Sequence, residues 1–125
     1  MTLAPESVHL VQLAAAAADA KGGDDLVAFD VSDPLPLVDA FLLVTGTSER
    51  NVAAIADEVE ERMLEAGVKR LRREGRNEAR WILLDFGDLV VHVFHEDERT
   101  FYGLERLWKD CPLIPIQLPS TTPAD

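Results

Sequence analysis

The segment Trp81-Ile-Leu-Leu-Asp-Phe-Gly-Asp-Leu-Val-Val-His-Val-Phe-His95 most narrows the folds open to this chain of 125 residues. Two runs of aliphatic, β-branched and aromatic residues are separated by Gly87-Asp88, a pair suited to a tight turn. The expectation is a hairpin from about residue 80 to 94. In its second strand Val90, His92 and Phe94 share one face while Val91 and Val93 point the other way. The acids Glu96-Asp97-Glu98 then favour a helix N-terminus, giving a last helix from about 97 to 108. Phe101, Leu104 and Trp108 fall on its expected buried stripe, and Tyr102, Glu105 and Lys109 on another face. This stretch holds both tryptophans, the single tyrosine and two of the three histidines. Such a concentration marks either the centre of the core or the place where a partner lands.

The rest of the chain supplies partners for the hairpin. Pro5 and Glu6 suit a first helical turn, Val8, Val11, Ala15 and Ala18 form a stripe, and Gly22-Gly23 ends it. Leu26 to Val31 and Phe41 to Thr45 are short apolar runs of the kind that form strands buried on both faces. Ser32-Asp33-Pro34-Leu35-Pro36 between them must be a loop. Thr47 or Ser48 caps the clearest helix, in which Val52, Ile55, Ala56, Val59 and Met63 recur at helical spacing before Gly67. Val68 to Glu74 reads as an edge strand. The order helix, strand, strand, helix, strand, strand, strand, helix predicts an α/β fold: a mixed β-sheet flanked by helices. One domain over residues 1–116 accounts for this, followed by a Pro-, Ser- and Thr-containing tail over 117–125.

Composition restricts the function classes. No apolar run reaches the roughly 20 residues of a membrane helix, and the Ala14–Ala18 run lacks the basic flank of a signal peptide. A lone cysteine, Cys111, forbids an internal disulfide and fits a reducing compartment, so a cytoplasmic protein is expected. The net charge of −11 repels bare nucleic acid and anionic membranes and attracts basic protein surfaces. Against this, Lys69, Arg70, Arg72, Arg73, Arg76 and Arg80 crowd into one segment. They read as a solvated edge that discourages strand pairing, or as a lip facing phosphates.

The candidate chemistry is sparse. Gly46-Thr47-Ser48 between a strand and a helix has the position of a phosphate site but lacks the P-loop lysine and any G-x-G-x-x-G pattern. A capping turn is the simpler reading. Asp85 and Asp88 could hold a divalent metal, yet their spacing of three straddles a turn, where Asp and Gly are expected anyway. His92 and His95 have no second His or Cys at metal-site spacing, and no Ser or Cys is visibly paired with a base. No cofactor and no metal is expected. Trp81, at a strand end beside Arg80, has the character of a binding anchor.

Several of these motifs together resemble the ribosomal silencing factor family (RsfS, or Iojap). They are Thr45-Gly-Thr-Ser-Glu-Arg50 leading into Val52-Ala-Ala-Ile-Ala-Asp57, Arg73-Glu-Gly75, and Ala79-Arg-Trp81. Leu84-Asp-Phe-Gly-Asp-Leu-Val-Val-His-Val-Phe94, Phe101-Tyr102 and Leu104-Glu-Arg-Leu-Trp108 follow in the same order. The resemblance covers about residues 5 to 116. Asn51 departs from it, standing where many members have a histidine, and the Pro34-Leu35-Pro36 loop is unusually stiff.

What the resemblance implies is a non-enzymatic translational repressor. It would bind the large ribosomal subunit through ribosomal protein L-fourteen and block association with the small subunit under nutrient limitation. It also implies a nucleotidyltransferase-like core without catalytic carboxylates, and a homodimer when free. Carried onto this chain, the partner-binding residues are Trp81, Asp85, Asp88 and His92 of the hairpin and Tyr102, Glu105 and Arg106 of the last helix. A peripheral contact of Lys69–Arg80 with ribosomal RNA is a further expectation. Two alternatives stand beside this one: a nucleotide-binding enzyme using Gly46–Ser48 with Asp85 and Asp88, and a large-subunit assembly factor.

Overall fold

A computed structural model describes residues 5–35, 37–75, 80–97 and 110–116. The elements are α1 (Pro5–Ala20), β1 (Asp24–Asp30), β2 (Ala40–Gly46), α2 (Glu49–Glu65), β3 (Arg72–Glu74), β4 (Trp81–Asp85) and β5 (Leu89–His95). The five strands form one mixed sheet in the order β1-β2-β5-β4-β3. β2 and β5 pair in parallel at its centre, and the other three pairings are antiparallel. β3 therefore runs parallel to β2 with two strands, β5 and β4, between them, and α2 makes the crossover that parallel strands require.

Alternation along the strands splits the core into two layers. Ala40, Leu42 and Val44 of β2, Leu89, Val91 and Val93 of β5 and Ile82 and Leu84 of β4 face α1 and α2. From α2, Val52, Ile55, Ala56, Val59 and Met63 meet them, the same five positions that the helical spacing predicts. Full burial of large side chains such as Leu42, Ile55 and Leu84 contributes about 1.5–3 kcal/mol each. Ser7, Val11, Ala14, Ala15, Ala17 and Ala18 are the buried residues of α1. Val8, expected in the stripe, is only half-buried, because the small alanines let the helix turn a wider face inward.

The opposite face carries a second cluster of Phe29, Val31, Leu43 and Phe94, with Phe41, Trp81, Leu35, Val38 and Cys111 packed against it. The two edges of the sheet differ. Along β1, Asp30 N–H donates to Pro112 C=O at 2.8 Å and Ile114 N–H to Ala28 C=O at 2.9 Å, so residues 112–114 cover that edge. Among the described residues nothing pairs with the outer side of β3. That strand is shorter than the expected Val68–Glu74, since the ladder with β4 takes in Arg72, Arg73 and Glu74. No described helix is long and apolar enough to cross a membrane.

Candidate functional site

The hairpin's second face is built around His92. It pairs with Leu83 on one side and Leu43 on the other, so its ring lies mid-sheet, 6% exposed. Trp81 Nε1 donates to His92 Nδ1 at 3.2 Å. The Trp81 ring also packs on Phe94 at 5.0 Å, Phe94 stacks on His92 at 5.9 Å, and Phe41 meets His92 edge-on at 5.0 Å. Removal from water pushes the imidazole down from its ordinary 6.5 to about 4. The ring is neutral near pH 7, and because Nδ1 accepts, its proton sits on Nε2. That Nε2–H is buried and finds no acceptor among the described residues. His92, expected at the partner face, is too deeply buried to present itself there, and it lies beneath Trp81 as a support.

Trp81 is half-buried, and with Leu83 and Glu74 it lines a groove of about 250 Å³ on this face near the open β3 edge. Neither Leu83 nor Glu74 was a candidate in the sequence. Leu83 follows Trp81 at the strand period of two, a signal that was available. Glu74 joins them only through the register Glu74↔Leu83, which no local pattern reveals. Leu71, 70% exposed, lies beside this edge, anchored by its N–H to Asp85 C=O at 2.7 Å.

The hairpin turn accounts for its two acids. Asp85 Oδ1 accepts from Gly87 N–H at 2.8 Å, and Gly87 adopts a φ of +93° that a side chain would strain. Asp88 is exposed, while its carbonyl accepts from Asp39 and Ala40 N–H at 2.9 and 3.0 Å. Asp85 thus serves the turn, and Asp88 offers its carboxylate to solvent. Tyr102, Glu105 and Arg106, together with Phe101, Leu104 and Trp108, lie outside the described residues.

The pieces of the alternative enzymatic site do not meet. Gly46 pairs with His95 at one end of β5, whereas Asp88 precedes the other end, about 20 Å away by strand rise. The Gly46–Ser48 turn is also closed on itself. Ser48 Oγ accepts from Asn51 N–H at 3.0 Å, and Asn51 Oδ1 accepts from Thr47 N–H at 2.9 Å, consuming donors a phosphate would need. Asn51 Nδ2 donates to Lys21 C=O at 2.8 Å, tying the turn to the end of α1. The residue that departs from the family pattern is thereby a structural clasp. A Cβ on Gly46 would meet Val52 Cγ2 at 2.7 Å, so this glycine serves close packing of strand on helix.

The basic segment is largely paired. Arg73, 12% exposed, bonds Asp57 at 2.9 Å and Glu60 at 3.0 Å on α2, and Arg70 reaches Glu60 at 3.2 Å. Arg72 pairs with Glu74 at 3.0 Å, and Arg80 lies 3.7 Å from Asp97. This geometry favours the edge reading over a phosphate-facing lip: the arginines tie β3 to the acidic flank of α2.

Comparison with known proteins extends over the same elements. The profile of a family described as "Ribosomal silencing factor during starvation" matches residues 4–125. The ribosomal silencing factor RsfS of Bacillus subtilis (strain 168) is 46% identical over 107 residues, 86% of this chain and 91% of that relative. The chloroplastic protein Iojap of Arabidopsis thaliana is 34% identical over 112 residues, 87% of this chain and 44% of its own length. A crystal structure of a Bacillus halodurans protein superimposes with a TM-score of 0.77 at 44% identity, covering 86% of this chain and 98% of that one. For the Chromobacterium violaceum protein CV0518 the TM-score is 0.79 at 34% identity, with 93% and 92% covered.

Proposed function

Because the chain belongs to the ribosomal silencing factor family, we propose that it represses translation by binding the large ribosomal subunit through ribosomal protein L-fourteen. Bound there, its body blocks association with the small subunit when nutrients are short. The mechanism is occlusion and needs no chemistry. The observation that carries the reading is the groove of Trp81, Leu83 and Glu74 on the sheet face away from α1 and α2. A half-buried indole beside an aliphatic side chain gives a partner a large contact area at small entropic cost.

In this reading Trp81 and Asp88 contact the partner together with Tyr102, Glu105 and Arg106, while Asp85 and His92 hold the hairpin in shape. The charge of −11 suits a basic ribosomal protein, since complementary fields speed and orient docking. The free protein is a cytoplasmic homodimer. Any contact with ribosomal RNA from the Lys69–Arg80 segment is peripheral, because Arg70, Arg72 and Arg73 already hold acids of the chain itself.

Subunit joining tests the proposal. Purified large subunits are incubated with the protein, small subunits are added, and the mixture is resolved on a sucrose gradient. The expected result is a dose-dependent loss of joined ribosomes with the protein in the large-subunit fraction. Undiminished joining at saturating protein would refute occlusion. Accumulation of immature large subunits in cells lacking the protein, with normal joining in vitro, would point to assembly instead.

A further inference from the structure

We infer that His92 is a positioning residue for the partner surface: its buried imidazole fixes the orientation of the Trp81 ring through the Nε1–H···Nδ1 bond. The inference rests on the proposed role of Trp81 in partner binding. Three observations carry it. The bond of 3.2 Å joins the two side chains across neighbouring strands, on the same face. The His92 ring cannot swing away, because Phe41 meets it edge-on and Phe94 lies parallel to it at an interplanar angle of 9°. Its other nitrogen is buried with no acceptor among the described residues. A histidine that leaves one donor unsatisfied in an apolar layer costs stability that an aliphatic residue there would not. Among the described residues its polar contact is to Trp81, so the position of that indole is what the imidazole obtains.

The geometry explains why a tryptophan at a strand end would need such a clamp. A half-buried indole oriented by packing alone has several side-chain rotamers open to it, and each would present a different wall to the groove. A directional bond to a nitrogen that is itself wedged selects one. Binding then loses less entropy, because the contact surface is formed in advance.

Two variants separate this role from packing. His92→Phe preserves an aromatic of similar size but removes the acceptor. His92→Asn places an amide oxygen close to where Nδ1 stands and restores it. In 15N-labelled protein the indole N–H resonance of Trp81, assigned by its loss in Trp81→Phe, reports the bond without any partner present. The expected result is a displaced and broadened resonance in His92→Phe and a near-normal one in His92→Asn. Affinity for purified large subunits should follow, with His92→Phe weaker by about fivefold, the worth of one neutral hydrogen bond, and His92→Asn close to the parent. An unchanged indole resonance in His92→Phe would overturn the positioning role, whatever the binding. A displaced resonance with undiminished binding, while Trp81→Ala abolishes it, would overturn the inference but leave the partner surface in place. If Trp81→Ala also binds normally, the partner surface itself is misplaced.

Discussion

Acidification should destabilise this protein through His92 before most carboxylates are protonated. In the folded chain burial holds the imidazole at about 4, whereas an unfolded chain titrates near the ordinary 6.5. Well above pH 6.5 neither state binds the proton and the stability is full. As the pH falls from 6.5 toward 4, the unfolded state takes up a proton that the folded state refuses, and stability is lost. The shift corresponds to about 3 kcal/mol in total, of which about 2 kcal/mol is gone by pH 5. For a domain whose net stability is on the order of 5–15 kcal/mol, that is a large fraction. Urea unfolding of the parent and of His92→Phe, each near pH 7.5 and near pH 5, isolates the contribution. The variant leaves the Trp81 indole N–H without its acceptor and starts from lower stability, but it has no imidazole to titrate. The parent should therefore lose about 2 kcal/mol more than the variant between the two conditions. Equal losses would show that His92 is not buried as a neutral ring, and the arrangement beneath Trp81 would fall with it.

Other perturbations probe the elements that shape the surface. Gly75 has a φ of +82°, and a Cβ there would clash with the Trp81 carbonyl oxygen. Gly75→Ala should force β3 off β4, lower the melting temperature by several degrees and weaken large-subunit binding together with it. Asn51→Ala removes the bonds to Thr47 N–H and Lys21 C=O and should cost about 1–2 kcal/mol in urea unfolding, with subunit binding unchanged. Association rates with large subunits, followed by light scattering, should fall as salt rises from low to physiological concentration, since an acidic body is being drawn to a basic protein. A rate that rises with salt would contradict that electrostatic account.

The parts legible in the sequence were those written in local periodicity. Val91 and Val93 on one face against His92 and Phe94 on the other, the Gly87-Asp88 turn, the Ser48 cap and the five buried positions of α2 all follow from spacing. α1 is less legible because alanine signals neither face: Ser7, Ala14 and Ala17 go inward for lack of bulk, and no apolar stripe announces them. Non-local pairings were not legible. Nothing in the neighbourhood of β2 says that it lies parallel to β5, about 50 residues on, rather than beside β3. The same limit explains Asn51, whose partner carbonyl on Lys21 is 30 residues away, and Arg73, whose acids come from a different element. The basic segment looked ambiguous because its charge was visible and its counter-charges were not. At the candidate site, Trp81 was singled out by its type and place. Its dependence on His92 and its neighbours Leu83 and Glu74 needed the strand register.

If Trp81 and Tyr102 grip the large subunit, the fold should stand without either side chain. Co-sedimentation of the Trp81→Ala, Tyr102→Ala double variant with purified large subunits, at low and at high salt, tests this most directly. The expected variant unfolds cooperatively, as the parent does, yet stays at the top of the gradient at both salt concentrations. A variant that pellets with large subunits as fully as the parent would contradict it.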